Sequence, residues 1–488
     1  MSTVIVKYGE NITELQGIDG VNILDFLREN RMAPPSPCGG GGRCGKCTVL
    51  LTDSDGSRTV KACSTYLAGD CAIEVSPTEG GITWNSDRTN LTGFSSEREG
   101  LGAAVDIGTT TVAVRLFDLK TGESLGIHSE WNAQRASGAD VISRIQFSTE
   151  KEGGLAFLKN SIRSQIVSMT ESLCRDAGRD ISEVREYSAC GNTVMEHLFA
   201  GISPESIGVA PYKPASLFDE NKPSELNGAE CYIAPCVAGY VGGDITCGLL
   251  SSGLYEKGGK NLFVDVGTNG EMAIGGRDGF VSCAVASGPA FEGAGIACGM
   301  PALPGAIDKA WIENGKLTFS VIGGGEAKGI CGSGLLDIVA CLLKLEIING
   351  SGKLLSKDAR FNITQDGSVY LSAGDVRQLQ LAKAALAAGI KLLLKEEGIE
   401  VCNIDGMYLA GGFGNRLNPL SAAAIGMFPP ELADKTHTLG NTALSGAAMS
   451  LLNPGMKDRL LEIKKRCRYI ELSTSSSFSD CFMDELMF

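Results

Sequence analysis

Near the start of the chain, apolar and polar residues alternate with a period of two in four short stretches. TVIVKYG (3–9), NITELQG (11–17), CTVLLTD (47–53) and CAIEVSP (71–77) each put every second side chain on one face, the pattern of half-buried strands. Between the second and third, VNILDFLREN (21–30) takes the three-to-four spacing of an amphipathic helix. Residues 79–100, EGGITWNSDRTNLTGFSSEREG, keep no period and are rich in Gly, Ser, Thr and Asn, which predicts a linker: a hinge for a mobile module or a plain tether. Beyond it one pattern occurs twice. LGAAVDIGTTTVAVRLFDLKTGESLGIHSEW and NLFVDVGTNGEMAIGGRDGFVSCAVASG both read strand, tight D-x-G-T turn, strand, turn, strand, with Asp106 and Asp265 standing 159 residues apart. Each copy therefore opens its own α/β lobe, at 101–258 and 259–488, and two facing lobes bring both turns into one cleft.

Length agrees with this division, because 488 residues make two to four domains at roughly 100–200 residues each. The charge narrows the partners. With 43 Lys and Arg against 57 Asp and Glu, the net charge of −14 is opposite in sign to that of a phosphate-backbone binder, so no nucleic acid is expected. The N-terminus MSTVIVKYGE lacks an apolar signal core, and no run of about 18 apolar residues occurs, so no membrane span is expected. The 17 cysteines, an odd number, then read as reduced thiols of a cytoplasmic protein. Only His128, His197 and His437 are available as imidazoles, too few and too scattered for histidine-based metal chemistry. Glycine, 64 residues against a usual share of about 7%, points to tight turns and close backbone approach to ligands.

Four cysteines stand together. Cys38, Cys44, Cys47 and Cys63 have the spacing C-x5-C-x2-C-x15-C, the first three inside PPSPCGGGGRCGKCTVLL. Four thiolates complete the tetrahedral coordination of two irons, while the intervening glycines let backbone N–H groups point at sulfur. Cys71 competes with Cys63 for the fourth place. Cys63, in VKACSTY, falls between strands, whereas Cys71 opens the regular strand CAIEVSP. A zinc site is the alternative, but zinc favours two separated C-x2–4-C knuckles. The same loop matches G-x-G-x-x-G at Gly40, Gly42 and Gly45, a match rejected because it does not link a strand to a helix.

The D-x-G-T turns suit nucleotide phosphates. Gly108, Thr109 and Thr110 in the first, and Gly267, Thr268, Asn269 and Gly270 in the second, offer backbone amides and side-chain donors, while Asp106 and Asp265 can hold Mg²⁺ through its waters. No G-x-x-x-x-G-K-[ST] occurs, so a Walker-type site is excluded. In GICGSGLLD, Ser333 lies near a helix N-terminus and either lines the cleft or packs the lobe, as does the segment ASGPAFEGAGIACGM.

With these residues in view, residues 1–78 resemble plant-type 2Fe-2S ferredoxins of the β-grasp fold, with a first cysteine gap one residue longer and a last gap much shorter than theirs. The remainder resembles the superfamily of acetate and sugar kinases, heat-shock chaperones and actin, whose two lobes share a ribonuclease-H-like fold. That resemblance implies an adenosine-contacting turn, found as MYLAGGFGNRLNPLSA with Gly411, Gly412, Gly414 and Asn415, and a connecting segment, found as YSACGNTVMEHL. The combination, with NAQRASGADVISRI, GYVGGD, GPAFEGAGI, KGICGSGLLD and LAGGFGN in order, resembles the reductive activators of corrinoid proteins over nearly the whole chain. The resemblance implies ATP-dependent reduction of an inactive Co(II) corrinoid protein to Co(I) through a 2Fe-2S cluster. It further implies Mg²⁺, an external ferredoxin or flavodoxin as electron donor, and a homodimer. Two other classes compete: a small-molecule kinase, and a redox-sensing ATPase or chaperone in which the cluster only regulates.

Asp244, in GYVGGDITCG, is a candidate to orient the attacking water, with a helix N-cap as its alternative role. The other thirteen cysteines form no C-x-x-C pairs and are expected to be small buried residues. His197 is expected to be a satisfied helix histidine, and the Phe and Met residues of SFSDCFMDELMF a core-facing stripe.

Overall fold

The computed structural model describes residues 2–8, 11–30, 32–34, 47–75, 98–219, 224–356, 358–414, 417–472 and 476–488. The N-terminal unit is a five-stranded sheet formed by β1 (Ser2–Tyr8), β2 (Asn11–Gly17), β3 (Thr48–Asp53), β4 (Gly56–Lys61) and β5 (Cys71–Val75), in the order β2-β1-β5-β3-β4. Helix α1 (Ile23–Glu29) covers one face, burying Ile23, Leu24, Phe26 and Leu27 against Val4, Val6, Val49, Leu51 and Ile73. Its start is set by Asn22, whose side chain accepts from the backbone N–H groups of Leu24 and Asp25. The alternating stretches account for four strands. β4 is additional: its sequence GSRTVK is largely exposed at the sheet edge, so no buried face marks it.

Lobe one begins with the hairpin strands β6 (Leu101–Ile107), β7 (Thr111–Asp118) and β8 (Ser124–Trp131). Helices α2 (Val141–Glu150) and α3 (Gly154–Asp176) follow, then β9 (Val184–Gly191), α4 (Thr193–Ala200), β10 (Ser224–Leu226), β11 (Ala229–Ile233) and α5 (Gly243–Ser251). Its sheet has the order β10-β11-β9-β6-β7-β8, with β9 parallel to both β6 and β11.

Lobe two repeats the plan with β12 (Asn261–Val266), β13 (Gly270–Gly276) and β14 (Gly279–Val285). An insertion follows, built from β15 (Ala306–Glu313), β16 (Lys316–Val321), β17 (Gly329–Ile330), α6 (Gly332–Lys344), β18 (Arg360–Asn362) and β19 (Tyr370–Ser372). The lobe is completed by α7 (Ala373–Glu396), β20 (Gly406–Ala410), α8 (Gly411–Gly414), α9 (Pro419–Ala424), β21 (Thr436–Gly440), α10 (Thr442–Leu452), α11 (Gly455–Lys465), β22 (Cys467–Tyr469) and α12 (Ser476–Asp484). Its main sheet, β21-β20-β12-β13-β14-β22, carries the same three antiparallel strands followed by two parallel ones.

One helix crosses the expected lobe boundary. α10 packs against α5 and against β6 and β9 of lobe one. The crossing is close because Gly446 has no side chain: a Cβ there would lie 2.2 Å from the carbonyl oxygen of Cys247. Phe117, Ile245, Leu249, Phe263, Tyr408, Leu444 and Ala447 form the shared core between the sheets. The end of the expected linker is pinned here too, since the Arg98 guanidinium donates to the carbonyls of Leu451 and Leu452 at 2.7 Å and pairs with Glu186. The rest of that linker, residues 79–97, lies outside the described residues.

His197 is buried and satisfied, with Nδ1 2.7 Å from the Thr193 carbonyl and Nε2 accepting from the Ser216 N–H. Of the thirteen other cysteines most are buried, but Cys402 is exposed and Cys298, Cys341 and Cys481 are half-buried. The C-terminal stripe is divided. Phe478 and Phe482 pack on the core, whereas Met483 and Met487 face solvent because α12 lies on the outside of α7. No helix among the described residues is long and apolar enough to cross a membrane.

Candidate functional site

The two D-x-G-T turns meet. Thr110, after β6, and Thr268, after β12, place their hydroxyls 2.8 Å apart, so equivalent turns of the two lobes touch directly. They wall a cavity of about 170 Å³ together with Asp106, Gly108, Thr109, Asp244, Asp265, Gly267, Asn269, Ser333, Gly411 and Gly412. Twelve of the fifteen nucleotide-site residues expected from the sequence thus line one space. Gly414 closes the short turn α8, and Asn415 lies outside the described residues. Gly270 is not among the residues that line this cavity: it starts β13 under α7, where a Cβ would lie 2.2 Å from Leu386 Cδ2, so its lack of a side chain serves packing.

Gly411 has a role at the cleft itself. Its φ of +89° belongs to the region glycine tolerates best, and a Cβ there would stand 2.6 Å from Asp265 Oδ1. The turn after β20 is thereby pressed against the carboxylate at the end of β12. Thr109 is tied down from behind, its hydroxyl accepting from Asn192 Nδ2 at 2.8 Å and its carbonyl accepting from the buried Arg144. The Ser333 hydroxyl reaches the cleft wall but donates to the Asp308 carbonyl at 3.0 Å. Asp244 lies in the first turn of α5, whose N-cap is Gly242, so the N-cap alternative does not hold; its Oδ1 accepts from Ile245 N–H.

Charge is the distinctive property of this cavity. Burial pushes the Asp106 carboxyl up to about 6, against the opposing hydrogen bond from Asn441. Burial and the Asp106 charge raise Asp244 to about 7, and burial with both neighbours raises Asp265 to about 8. Glu271, which the sequence reading passed over although it directly follows Gly270, is pushed well up by burial and by Asp244 and Asp265. Without a cation these under-solvated carboxyls favour their protonated forms, and a cation in the cleft would favour their ionisation. Among the described residues no three His, Cys, Asp or Glu side chains converge closely enough to hold a metal directly, so the donor set fits a Mg²⁺ bound through its waters.

Further residues emerged only with the structure. Glu292 accepts from the Thr268 hydroxyl at 3.0 Å, and its Oε2 is shielded from solvent without a hydrogen-bond partner. Asn441 caps α10 and donates to Asp106 Oδ2 at 2.7 Å. Glu292 falls inside the segment ASGPAFEGAGIACGM, so for it the signal was positional but not residue-specific, whereas Asn441 lies outside every segment that the sequence singles out. Trp131 borders the cavity and carries the Arg135 guanidinium 4.1 Å above its ring.

The cysteine site lies in the N-terminal unit. Cys47 is fully buried just before β3, and Cys63 sits half-buried on the 3-10 turn Ala62–Ser64. The Ala62 N–H donates to the Cys47 carbonyl at 2.7 Å, and Asn22 Nδ2 donates to the Cys63 carbonyl at 3.1 Å, which ties both cysteines to the start of α1. Cys71 opens β5 among Asp19, Asp53 and Asp70, where burial and three carboxylates push its thiol up. A site of that kind disfavours a thiolate, so the chemistry of the donors fits Cys63 as the ligand. Cys38 and Cys44 lie outside the described residues.

Fold and sites together define a class: a two-lobed protein of the actin and sugar-kinase type that carries an N-terminal iron–sulfur ferredoxin domain. Residues 9–70 match the family described as the 2Fe-2S iron-sulfur cluster binding domain, residues 101–257 the RACo middle region, and residues 259–488 the C-terminal domain of RACo, the ASKHA domain. The chain is 35% identical over 418 residues to the corrinoid activation enzyme RamQ of Eubacterium limosum, covering 79% of this chain and 70% of that protein. It is 27% identical over 435 residues to the [Co(II) methylated amine-specific corrinoid protein] reductase of Methanosarcina barkeri, covering 79% and 77%. The solved structure of a reductive activator for corrinoid, iron-sulfur protein superimposes with a TM-score of 0.75 at 30% identity, over 100% of this chain and 98% of that one. The chain belongs to the family of reductive activators of corrinoid proteins.

Proposed function

We propose that this enzyme couples ATP hydrolysis to the one-electron reduction of a Co(II) corrinoid protein to Co(I). The reading is carried by the meeting of Thr110 and Thr268 over a cluster of under-solvated carboxylates, in the same chain as the cysteine loop. ATP is the substrate of the cleft. Gly108, Thr109, Thr110, Gly267, Thr268 and Asn269 would hold its phosphates, and Gly411 and Gly412 its adenosine end. Asp106 and Asp265 would position Mg²⁺ through water, which supplies charge neutralisation for the transferring phosphoryl group. Asp244, whose carboxyl is raised to about 7 by burial and by Asp106, is the candidate to orient the attacking water.

Cys38, Cys44, Cys47 and Cys63 would hold the 2Fe-2S cluster, which supplies one-electron transfer. The electron donor is then an external low-potential protein such as a ferredoxin or flavodoxin, since no flavin or nicotinamide motif occurs in the sequence. We further propose a cytoplasmic homodimer. Because Thr110 and Thr268 now hydrogen-bond to each other, phosphates enter only as the turns part, and nucleotide occupancy sets the separation of the lobes. A closed state with higher affinity for the Co(II) form than for the Co(I) form would provide the driving force.

The test is spectroscopic. Reduced protein, MgATP and a Co(II) corrinoid protein are mixed anaerobically and the visible spectrum of Co(I) is followed. Co(I) is expected only with ATP; equal rates with and without it would refute the coupling.

A further inference from the structure

The cleft is lined by acids without a base. Among the described residues Asp106, Asp244, Asp265, Glu271 and Glu292 border it, and no Lys or Arg does. A triphosphate brings several further negative charges, of which one Mg²⁺ offsets only part, so a protein cation at the terminal phosphate would add most to its binding. The segment after β8 holds such a cation. Asn132 Nδ2 donates to the Gly108 carbonyl at 2.8 Å, and the Asn132 N–H donates to the Thr110 carbonyl at 2.9 Å. The same side chain caps the 3-10 turn Ala133–Ala136 by accepting from the Gln134 N–H at 2.9 Å. Arg135 stands on that turn, so its backbone is fixed to the first D-x-G-T turn.

Its guanidinium is not committed elsewhere. It lies 4.1 Å from the centre of the Trp131 ring, and among the described residues no hydrogen bond or ion pair holds it. Trp131 borders both the cleft and a neighbouring cavity of about 540 Å³ that Arg135 lines, so the indole stands between the guanidinium and the cleft. Arg144, the other cation at this turn, is already occupied: Nη2 donates to the Thr109 carbonyl and Nε to the Gly138 carbonyl at 3.0 Å. Two groups of the cleft wall meanwhile lack partners. Trp131 Nε1 and Glu292 Oε2 are shielded from solvent without a hydrogen bond, although Glu292 Oε1 accepts from Thr268. Unpaired groups of that kind are costly and mark a place where a ligand or a moving side chain completes the set. A guanidinium can serve a carboxylate with one edge of its planar fork and a phosphate with another. Burial lowers the pKa of Arg135, while the charge of Glu292 works to keep it protonated.

We propose that Arg135 binds the γ-phosphate: when ATP fills the cleft, its guanidinium leaves the Trp131 ring, pairs with Glu292 and contacts the terminal phosphate, so that the cleft selects ATP over ADP. The inference rests on the reading of the cleft as an ATP site. ADP lacks the group that draws the side chain off the ring, so Arg135 stays stacked on Trp131 when ADP is bound. The contact is charge-assisted and forms where little water remains, which makes it count for ATP alone.

The experiment is a calorimetric titration of the full-length, cluster-loaded protein with the Mg²⁺ complex of a non-hydrolysable ATP analogue and, separately, with MgADP. R135Q is expected to weaken the analogue at least about tenfold and MgADP by less than about twofold, the signature of one lost charge-assisted contact. R135K keeps the charge without the fork, and its affinity for the analogue is expected to fall between those of native protein and R135Q. Equal losses for both nucleotides, or no loss for the analogue, overturn the proposal, because a merely structural role does not separate the two. Should R135Q fail to fold, R135K decides by the same comparison. Native protein that binds neither nucleotide would instead refute the reading of the cleft as an ATP site.

Discussion

Asn441 Nδ2 lies 2.7 Å from Asp106 Oδ2, a single hydrogen bond that joins the N-cap of α10 to the last turn-proximal carboxylate of β6, across 335 residues of sequence. The same side chain accepts from the Leu444 N–H at 2.8 Å, so it starts the helix that crosses into lobe one and holds the cleft acid in place. N441A removes both contacts and is expected to lower stability by about 0.5–2 kcal/mol, the usual range for a lost cap, together with nucleotide affinity. N441D keeps the cap but sets a carboxylate against Asp106, so its melting temperature should recover with Mg²⁺ and nucleotide more than that of N441A. Thermal melts with and without MgATP check this.

Asp265→Ala is expected to abolish ATP turnover while the cluster absorbance is unchanged, because the residue lies in the cleft and not in the ferredoxin domain. Phosphate release and the visible spectrum, measured on one sample, provide the check. Retained turnover would count against the cleft assignment.

The two rival cysteines are separated by substitution. C63S should lose the cluster absorbance, whereas C71S should keep it, since Cys71 stands among Asp19, Asp53 and Asp70 and its thiol is pushed up. Iron content and visible absorbance after reconstitution decide between them.

The cleft acids make stability depend on pH in a defined direction. Burial pushes the carboxyls of Asp106, Asp244 and Asp265 up to about 6, 7 and 8 in the folded protein, the latter two helped by neighbouring carboxylates, above an unfolded value near 3.9. Between those limits the folded state binds more protons, so their contribution is present at low pH and is lost as pH rises towards about 8. In metal-free buffer the melting temperature is expected to decline over that window, and MgATP should flatten the decline by neutralising the carboxylates. A melting temperature that rises across the same window, with no effect of MgATP on the slope, would contradict the assignment.

Gly411→Ala places a methyl group 2.6 Å from Asp265 Oδ1 at a φ of +89°. The change is expected to cost at least about 1–2 kcal/mol for the conformation alone. It should also weaken nucleotide binding by displacing Asp265, which calorimetric titration with MgATP would show.

Local chemistry was legible in the sequence wherever a short pattern carries it. The period-two stretches located β1, β2, β3 and β5, and the repeated D-x-G-T turn located β6, β7, β8 and their counterparts β12, β13, β14 with the acids between them. β4 escapes because an exposed edge strand buries no face, and the packing of Gly270 against Leu386 of α7 is not legible because that partner lies more than a hundred residues away. Glu271 and Glu292 sit inside quoted segments and Asn441 does not, and nothing local distinguishes an Asn that caps a helix from one that also holds an acid of the other lobe.

The sequence by itself determined the cysteine loop, the two turns and the net negative charge, because each depends on residues close together in the chain. Tertiary structure alone decided that α10 packs across the lobe boundary, that Thr110 meets Thr268, and that Cys63 rather than Cys71 lies at the base of α1. Those contacts depend on which surfaces the packed core brings within a few ångströms, and on how little water is left between them. Spacing along the chain encodes neither.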